Sequence, residues 1–338
     1  MTKHTFAPTR RAFLGSTAVG LAIAALPGLA AAQTGWTPEH AVEVVVGVAP
    51  GGANDRTARD VEANLKAIGA IPNDSITVNK PGGGHSVALA YTISHAGDPH
   101  FLQVIGGVML SNNILGRSPQ KYSDVTPIAM LFNEQMAFAV AKDSKITDAQ
   151  TLLDMLAADP GSVSFSISTG IGTTNHLSAL LVAKAAGADV TKLKAVAFDS
   201  SSEGVTATLG GHIDVAITTP YALDPFVESG ELRYIAVASE ERAGGLLADT
   251  PTWKELGIDA VVYAWRSVVA PPGLTEDQVA YWDKSFTDLQ ASQGWKDMLA
   301  KENLMPAPMD SKTFAAFLES ENARYTELLA NVSEPAKN

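Results

Sequence analysis

Three glycine-rich loops in this chain combine the residue types that hold a small anion without a metal. The first is Pro50-Gly51-Gly52-Ala53-Asn54-Asp55. The second is Asn79-Lys80-Pro81-Gly82-Gly83-Gly84-His85. The third is Ser168-Thr169-Gly170-Ile171-Gly172-Thr173-Thr174-Asn175-His176. Each follows an apolar run and precedes an amphipathic one, so each reads as a strand, a loop and the start of a helix. Glycine lets the backbone approach a ligand closely, and the first N–H groups of a helix have no partners inside it. Those groups and the helix dipole favour an anion, the dipole by roughly 0.3–1 kcal/mol per terminus. The bland alternatives are plain turns, with Asn54, Asp55 and Thr173 as helix caps and His85 and His176 as bystanders.

Other chemistries fit less well. No loop is followed by Gly-Lys-Ser/Thr, and the third lacks the last glycine of a dinucleotide fingerprint. There is no Gly-x-Ser-x-Gly elbow. Ser118-Pro119-Gln120-Lys121 has the form Ser-x-x-Lys, but no Lys-Thr-Gly accompanies it. His95 and His100 are five apart, which misses the same-face spacing of a zinc helix. Cysteine is absent, which excludes disulfides, thiolate metal sites, a cysteine nucleophile and a lipid-modified N-terminal cysteine. The formal charge is −12, which argues against nucleic acid and anionic membrane as partners. It leaves an anionic ligand open, because amide dipoles act locally. No cofactor and no metal is expected.

The elements that must position these loops alternate. Stretches 42–48, 76–78, 101–105, 163–167, 193–198, 214–218 and 232–238 read as buried strands, and helical patterns separate them. Ala58, Val61, Leu65 and Ile68 form one helical face, and Phe314, Phe317, Leu318, Tyr325 and Leu328 another. Thr275-Glu276-Asp277-Gln278 has the form of a capping box. Repeated strand–helix units predict mostly parallel sheets flanked by helices, with the loops at the carboxyl ends of the strands. A chain of 338 residues predicts two domains. No flexible linker separates them, so two lobes joined by several crossings are expected, near 132–140 and 261–269. One lobe takes 33–135 plus 265–338, and the other takes 136–264.

Residues 1–32 read as a cleaved export signal. Arg10-Arg11-Ala12-Phe13-Leu14 has the twin-arginine form, a moderately apolar run follows, and Ala30-Ala31-Ala32 offers a cleavage site. The mature protein is then expected free in the periplasm.

At its loops the sequence resembles the substrate-binding components of tripartite tricarboxylate transporters, the Bug-type periplasmic receptors. The family's Pro-Gly-Gly-x-x-Asp-x-x-x-Arg is matched from Pro50 to Arg59. Its Asn-x-Pro-Gly is matched from Asn79 to Gly82, and its Gly-x-Gly with a following His-Leu from Gly170 to Leu177. Gly210-Gly211-His212-Ile213-Asp214 matches its Gly-Gly-x-Val-Asp turn. Order and spacing make these modest motifs specific together, and the resemblance spans nearly the whole mature chain.

The resemblance implies a two-lobed α/β Venus flytrap, a monomer rather than an enzyme. It would capture a small organic carboxylate for an integral-membrane permease. Carried over, Gly51, Gly52, Gly83 and Gly84 become amide donors to the carboxylate, with Asp55 beside them. Thr169, Gly172, Thr173 and Thr174 donate from the second lobe. Asn54, Gly82, His85, Gly170, Asn175, Ser201 and Thr218 complete the candidate set. Trp265-Arg266-Ser267 departs from the family's Trp-x-Gly, so Arg266 either meets a second carboxylate or forms an ion pair. Two rival readings are a receptor of the same fold serving signalling, and a periplasmic hydrolase.

Overall fold

A computed structural model describes residues 1–2, 35–51, 53–168, 170–198, 200–330 and 332. The export signal expected at 1–32 lies outside the described residues, save for the first two. So do the candidate site residues Gly52 and Thr169.

The chain first lays down β1 (Glu43–Val46), α1 (Ala53–Ala67), β2 (Ile76–Asn79), α2 (Ser86–Ser94), β3 (Phe101–Ile105), α3 (Val108–Ile114) and β4 (Thr126–Gln135). It continues through β5 (Ala137–Ala141), α4 (Ala149–Ala158), β6 (Ser164–Ser168), α5 (Thr174–Ala185), β7 (Lys194–Phe198), α6 (Ser201–Leu209), β8 (Val215–Thr218), α7 (Pro220–Glu228) and β9 (Leu232–Val237). It ends with β10 (Tyr263–Ala270), α8 (Glu276–Ala291), α9 (Gln293–Lys301), β11 (Met305–Met309) and α10 (Ser311–Leu329).

Two sheets result, ordered β11-β4-β10-β3-β1-β2 and β7-β6-β8-β5-β9. Their hydrophobic inner strands explain the layering. Val44, Val45 and Val46 of β1 are fully buried, and Val44 and Val46 share one apolar cluster with Ala58, Val61 and Leu65 of α1. The capping box at Thr275 forms as its sequence predicts, with reciprocal bonds to Gln278. Of the final helix, Phe314, Leu318 and Tyr325 are buried, while Phe317 and Leu328 are partly so.

The expectation of mostly parallel sheets is corrected. Each sheet has a parallel three-stranded half, β2-β1-β3 and β7-β6-β8. The remaining strands β4, β5, β9, β10 and β11 pair antiparallel. The cause is the route of the chain. β5 and β10 each arrive directly from the other sheet without a helical crossover, and each pairs antiparallel beside a parallel half, with β8 and with β3. Only Met136 separates β4 of one sheet from β5 of the other. Beside it, Ala238 N–H donates to Met136 C=O at 2.8 Å, and Val262 N–H donates to Ala238 C=O at 3.1 Å. Three crossing segments are thus bonded side by side.

Candidate functional site

Both parallel halves present the loop that follows their central strand, β1 or β6, toward a shared cavity of about 860 Å³. This is where open α/β sheets receive ligands, at the carboxyl ends of strands where the winding reverses.

One wall starts at Asn54 in the first turn of α1 and continues through Gly83, Gly84 and His85. Residues 82–85 have φ values of 131°, 55°, 56° and 77°, a left-handed turn that a glycine run adopts without Cβ strain. His85 adopts it despite its side chain, and its surroundings hold it there. Asn112 of α3 donates through Nδ2 to Gly84 C=O at 2.6 Å, and Asn54 Nδ2 donates to His85 Nε2 at 3.2 Å. Behind the ring lies Gly47, where a Cβ would sit 2.5 Å from His85 Nδ1.

The other wall carries Thr173, Thr174 and Asn175 at the start of α5, Ser201 at the start of α6, and Thr218 at the end of β8. Thr218 Oγ1 donates to Ser201 Oγ at 3.0 Å, and Ser201 Oγ lies 2.8 Å from Ser168 Oγ. Asn175 Nδ2 donates to Ile217 C=O, which fixes the amide against β8. Between the walls, Arg266 of β10 meets Glu134 of β4 at 2.8 Å.

Five candidates lie off the wall. Gly51 N–H donates to Asp55 Oδ2 at 2.8 Å, so it is taken up within the loop rather than offered to a ligand. Asp55 is buried and fully engaged. It also accepts from Arg59 Nε and Nη2 at 3.0 Å each and from Asn79 Nδ2 at 2.7 Å. Burial raises its pKa, but bonds from Arg59, Gly51 and Asn79 outweigh that and hold it at about 2. Asp55 therefore ties the first loop to the second. Gly172 N–H donates to His176 Nδ1 at 3.1 Å, so both residues serve the third loop internally. Gly82 and Gly170 supply positive φ beside the wall. Sequence reasoning missed Gly47, Asn112, Arg117 and Glu134. Glu134 had one signal, an acid that follows the apolar run from Ile128 to Phe132. His95 and His100 do not form a pair. His95 stacks on Phe101, and His100 bonds through Nδ1 to Asp98 and accepts from Glu39 N–H.

Burial, assisted by the Arg266 charge, holds His85 at about 4, and burial with Arg117 does the same for His176. A histidine whose pKa is depressed on folding contributes stability that is full above about 6.5 and is lost as pH falls toward 4. Urea unfolding between pH 7 and 4.5 should lose about 1.4 kcal/mol per pH unit for each histidine below that point. His176→Asn should remove one proton's worth of this slope. An identical slope in the variant would contradict the assignment.

Helix caps divide by position. Away from the cavity, α4, α8, α9 and α10 are each capped by a side chain, from Asp148, Thr275, Ser292 and Asp310. At the cavity, α2, α5 and α7 start at His85, Thr173 and Thr219 with no side-chain cap. Among the described caps there, α6 alone has a side-chain cap, from Ser200. The turn takes up the first two N–H groups of α2, from Ser86 to Gly83 C=O and from Val87 to Gly82 C=O, and α7 starts with a proline, so the end of α5 is the one that leaves N–H donors at the cavity.

A protein encoded in the gbd 5' region of Cupriavidus necator is 30% identical over 313 residues, covering 91% of this chain and 93% of its own length. A TctC solute-binding protein from Polaromonas superposes with a TM-score of 0.73 at 23% identity, covering 87% of this chain and 99% of its own. MatC from Rhodopseudomonas palustris, with bound malate, gives a TM-score of 0.69 at 22% identity, covering 86% and 99%. The model of the tripartite tricarboxylate transporter family receptor matches residues 57–333. With its two mixed sheets and its receptor relatives, this chain belongs to that family of binding proteins and not to a family of enzymes.

Proposed function

We propose that this chain is a periplasmic receptor that captures a small organic carboxylate and delivers it to a tripartite tricarboxylate-type permease. The observation that carries this reading is the start of α5, which has no side-chain cap and opens on the same cavity that the Gly83–Gly84 turn lines. Such ends attract an anion of carboxylate size through N–H groups and dipole together. The Gly83 and Gly84 N–H groups open their turn and have no acceptor within it, so they receive one end of the acid. Thr173, Thr174, Asn175, Ser201 and Thr218 receive the rest. Malate held by MatC supports the ligand class, and the twin-arginine run at Arg10 and Arg11 supports export. The reading corresponds to lobes of 33–135 plus 265–338 and of 136–264.

Titration calorimetry with a panel of organic acids and their methyl esters tests it. Esterification removes the charge and one oxygen's acceptor strength. Losing two charge-assisted hydrogen bonds at about 1.5–3 kcal/mol each should weaken binding by roughly a hundredfold or more. Equal affinity for an acid and its ester would refute a carboxylate site at these loops.

A further inference from the structure

Glu134 lines the cavity, yet the glycine loops give it no task. It lies on β4 opposite Ala264, two residues from Arg266 on the neighbouring strand. The two long side chains thus meet diagonally on one face of the sheet. Arg266 Nη2 holds Glu134 Oε2 at 2.8 Å, and both side chains are only 15% exposed. Among the described residues no group bonds to Glu134 Oε1. Arg266 is positioned in turn by Nη1, which donates to Trp265 C=O at 3.3 Å.

The charges around the cavity decide what this pair does. Among the described residues, Arg266 and Glu134 form the charged pair between the walls, and each offsets the other. His85 stays neutral at pH 7 because burial depresses its pKa to about 4. Arg117 lies at the rim, where Nη1 donates to Ile171 C=O at 2.8 Å. A second carboxylate drawn to Arg266 would also meet Glu134, a like charge already held by the same guanidinium.

Resting on the carboxylate reading, we propose that Glu134 makes the cavity select monocarboxylates with an O–H or N–H donor away from the acid group, in preference to dicarboxylates. The donor bonds to Glu134 Oε1, and Arg266 keeps Glu134 ionised and in place. Glu134 is thus the residue that sets specificity, and the malate bound by MatC belongs to the class this chain disfavours.

Calorimetry at pH 7 with two chain-matched sets tests this. One set is γ-hydroxybutyrate, γ-aminobutyrate and succinate, and the other is ε-hydroxycaproate, ε-aminocaproate and adipate. In the native protein the better donor-bearing acid of a set should bind about tenfold tighter than the dicarboxylate. Preference for the amine identifies an ammonium as the donor, and preference for the alcohol identifies a hydroxyl. Glu134→Gln keeps the size and an acceptor for Arg266 but removes the negative charge beside it, and it should reverse the order. The native protein binding succinate or adipate tighter than both matched donors overturns the proposal, whatever the variant does. So does a folded Glu134→Gln that binds with an unchanged ratio. Adipate binding that is tighter than that of both matched donors and is lost in its dimethyl ester leaves the carboxylate reading standing while this proposal falls. Failure of every acid to bind overturns both.

Discussion

Gly47→Val should weaken carboxylate binding by roughly a hundredfold, because it displaces the turn that presents two amide donors. A Cβ at Gly47 would lie 2.5 Å from His85 Nδ1 and 2.7 Å from His85 Cα. The second contact is to backbone, so no side-chain rotation relieves it. His85 already occupies φ 77°, and Asn54 and Asn112 hold it and its neighbour Gly84. The turn must therefore move as a unit, taking Gly83 and Gly84 with it. Overpacking of this kind costs about 1–3 kcal/mol of stability. The fold should persist with a lowered melting temperature while calorimetry registers little binding. Native affinity in a folded Gly47→Val protein would show that the turn is not a donor site.

Gly172→Val should lower affinity at least tenfold by a different route, in an otherwise stable protein. Gly172 belongs to the loop before α5, and its backbone abuts α3. A Cβ there would lie 2.7 Å from Leu115 Cδ1 and 3.0 Å from Ser111 Cβ, at φ 82°. Leucine can swing away, but the serine Cβ is fixed to its helix. The loop and α3 come from opposite sides of the cavity, so the clash is relieved by parting them. Gly187→Val is the control, since it carries the same φ strain (73°) with open space around the added atom. Both variants should lose about 1–2 kcal/mol of stability to backbone strain. Only Gly172→Val should enlarge the radius of gyration in small-angle scattering with ligand present, and only it should lose the roughly tenfold in affinity. Equal behaviour of the two would reduce Gly172 to a turn residue.

The glycine loops were legible because their residue types report local backbone demands, and a strand before and a helix after complete the pattern. Asn54, Gly83, Gly84, His85, Thr173, Thr174 and Asn175 all stand at the cavity wall. Sequence does not say whether an N–H is already occupied, and Gly51 and Gly172 are the instances. Their amides look available until Asp55 and His176 fold back on them. Strand direction was equally hidden. The stretches 132–140 and 261–269 read only as crossings, so β4 and β10, and with them the mixed character of the sheets, came with the structure. Glu134 and Arg266 are separated by more than a third of the chain, and only the register of β4 against β10 joins them.

The recurrence of one winding, β2-β1-β3 and β7-β6-β8, has a consequence for the direction in which a ligand is read. Two halves built alike present equivalent strand ends, so the backbone plan by itself is nearly symmetric and gives a bound molecule no head or tail. Polarity enters with the side chains. One half supplies a left-handed turn of glycines braced by Asn54 and Asn112, which serves an anion through amides. The other supplies the linked hydroxyls of Ser168, Ser201 and Thr218, which accept as readily as they donate. A molecule with two unlike ends therefore has one energetically preferred orientation in a nearly symmetric frame. Loop substitutions can redirect that orientation without any change to the sheets.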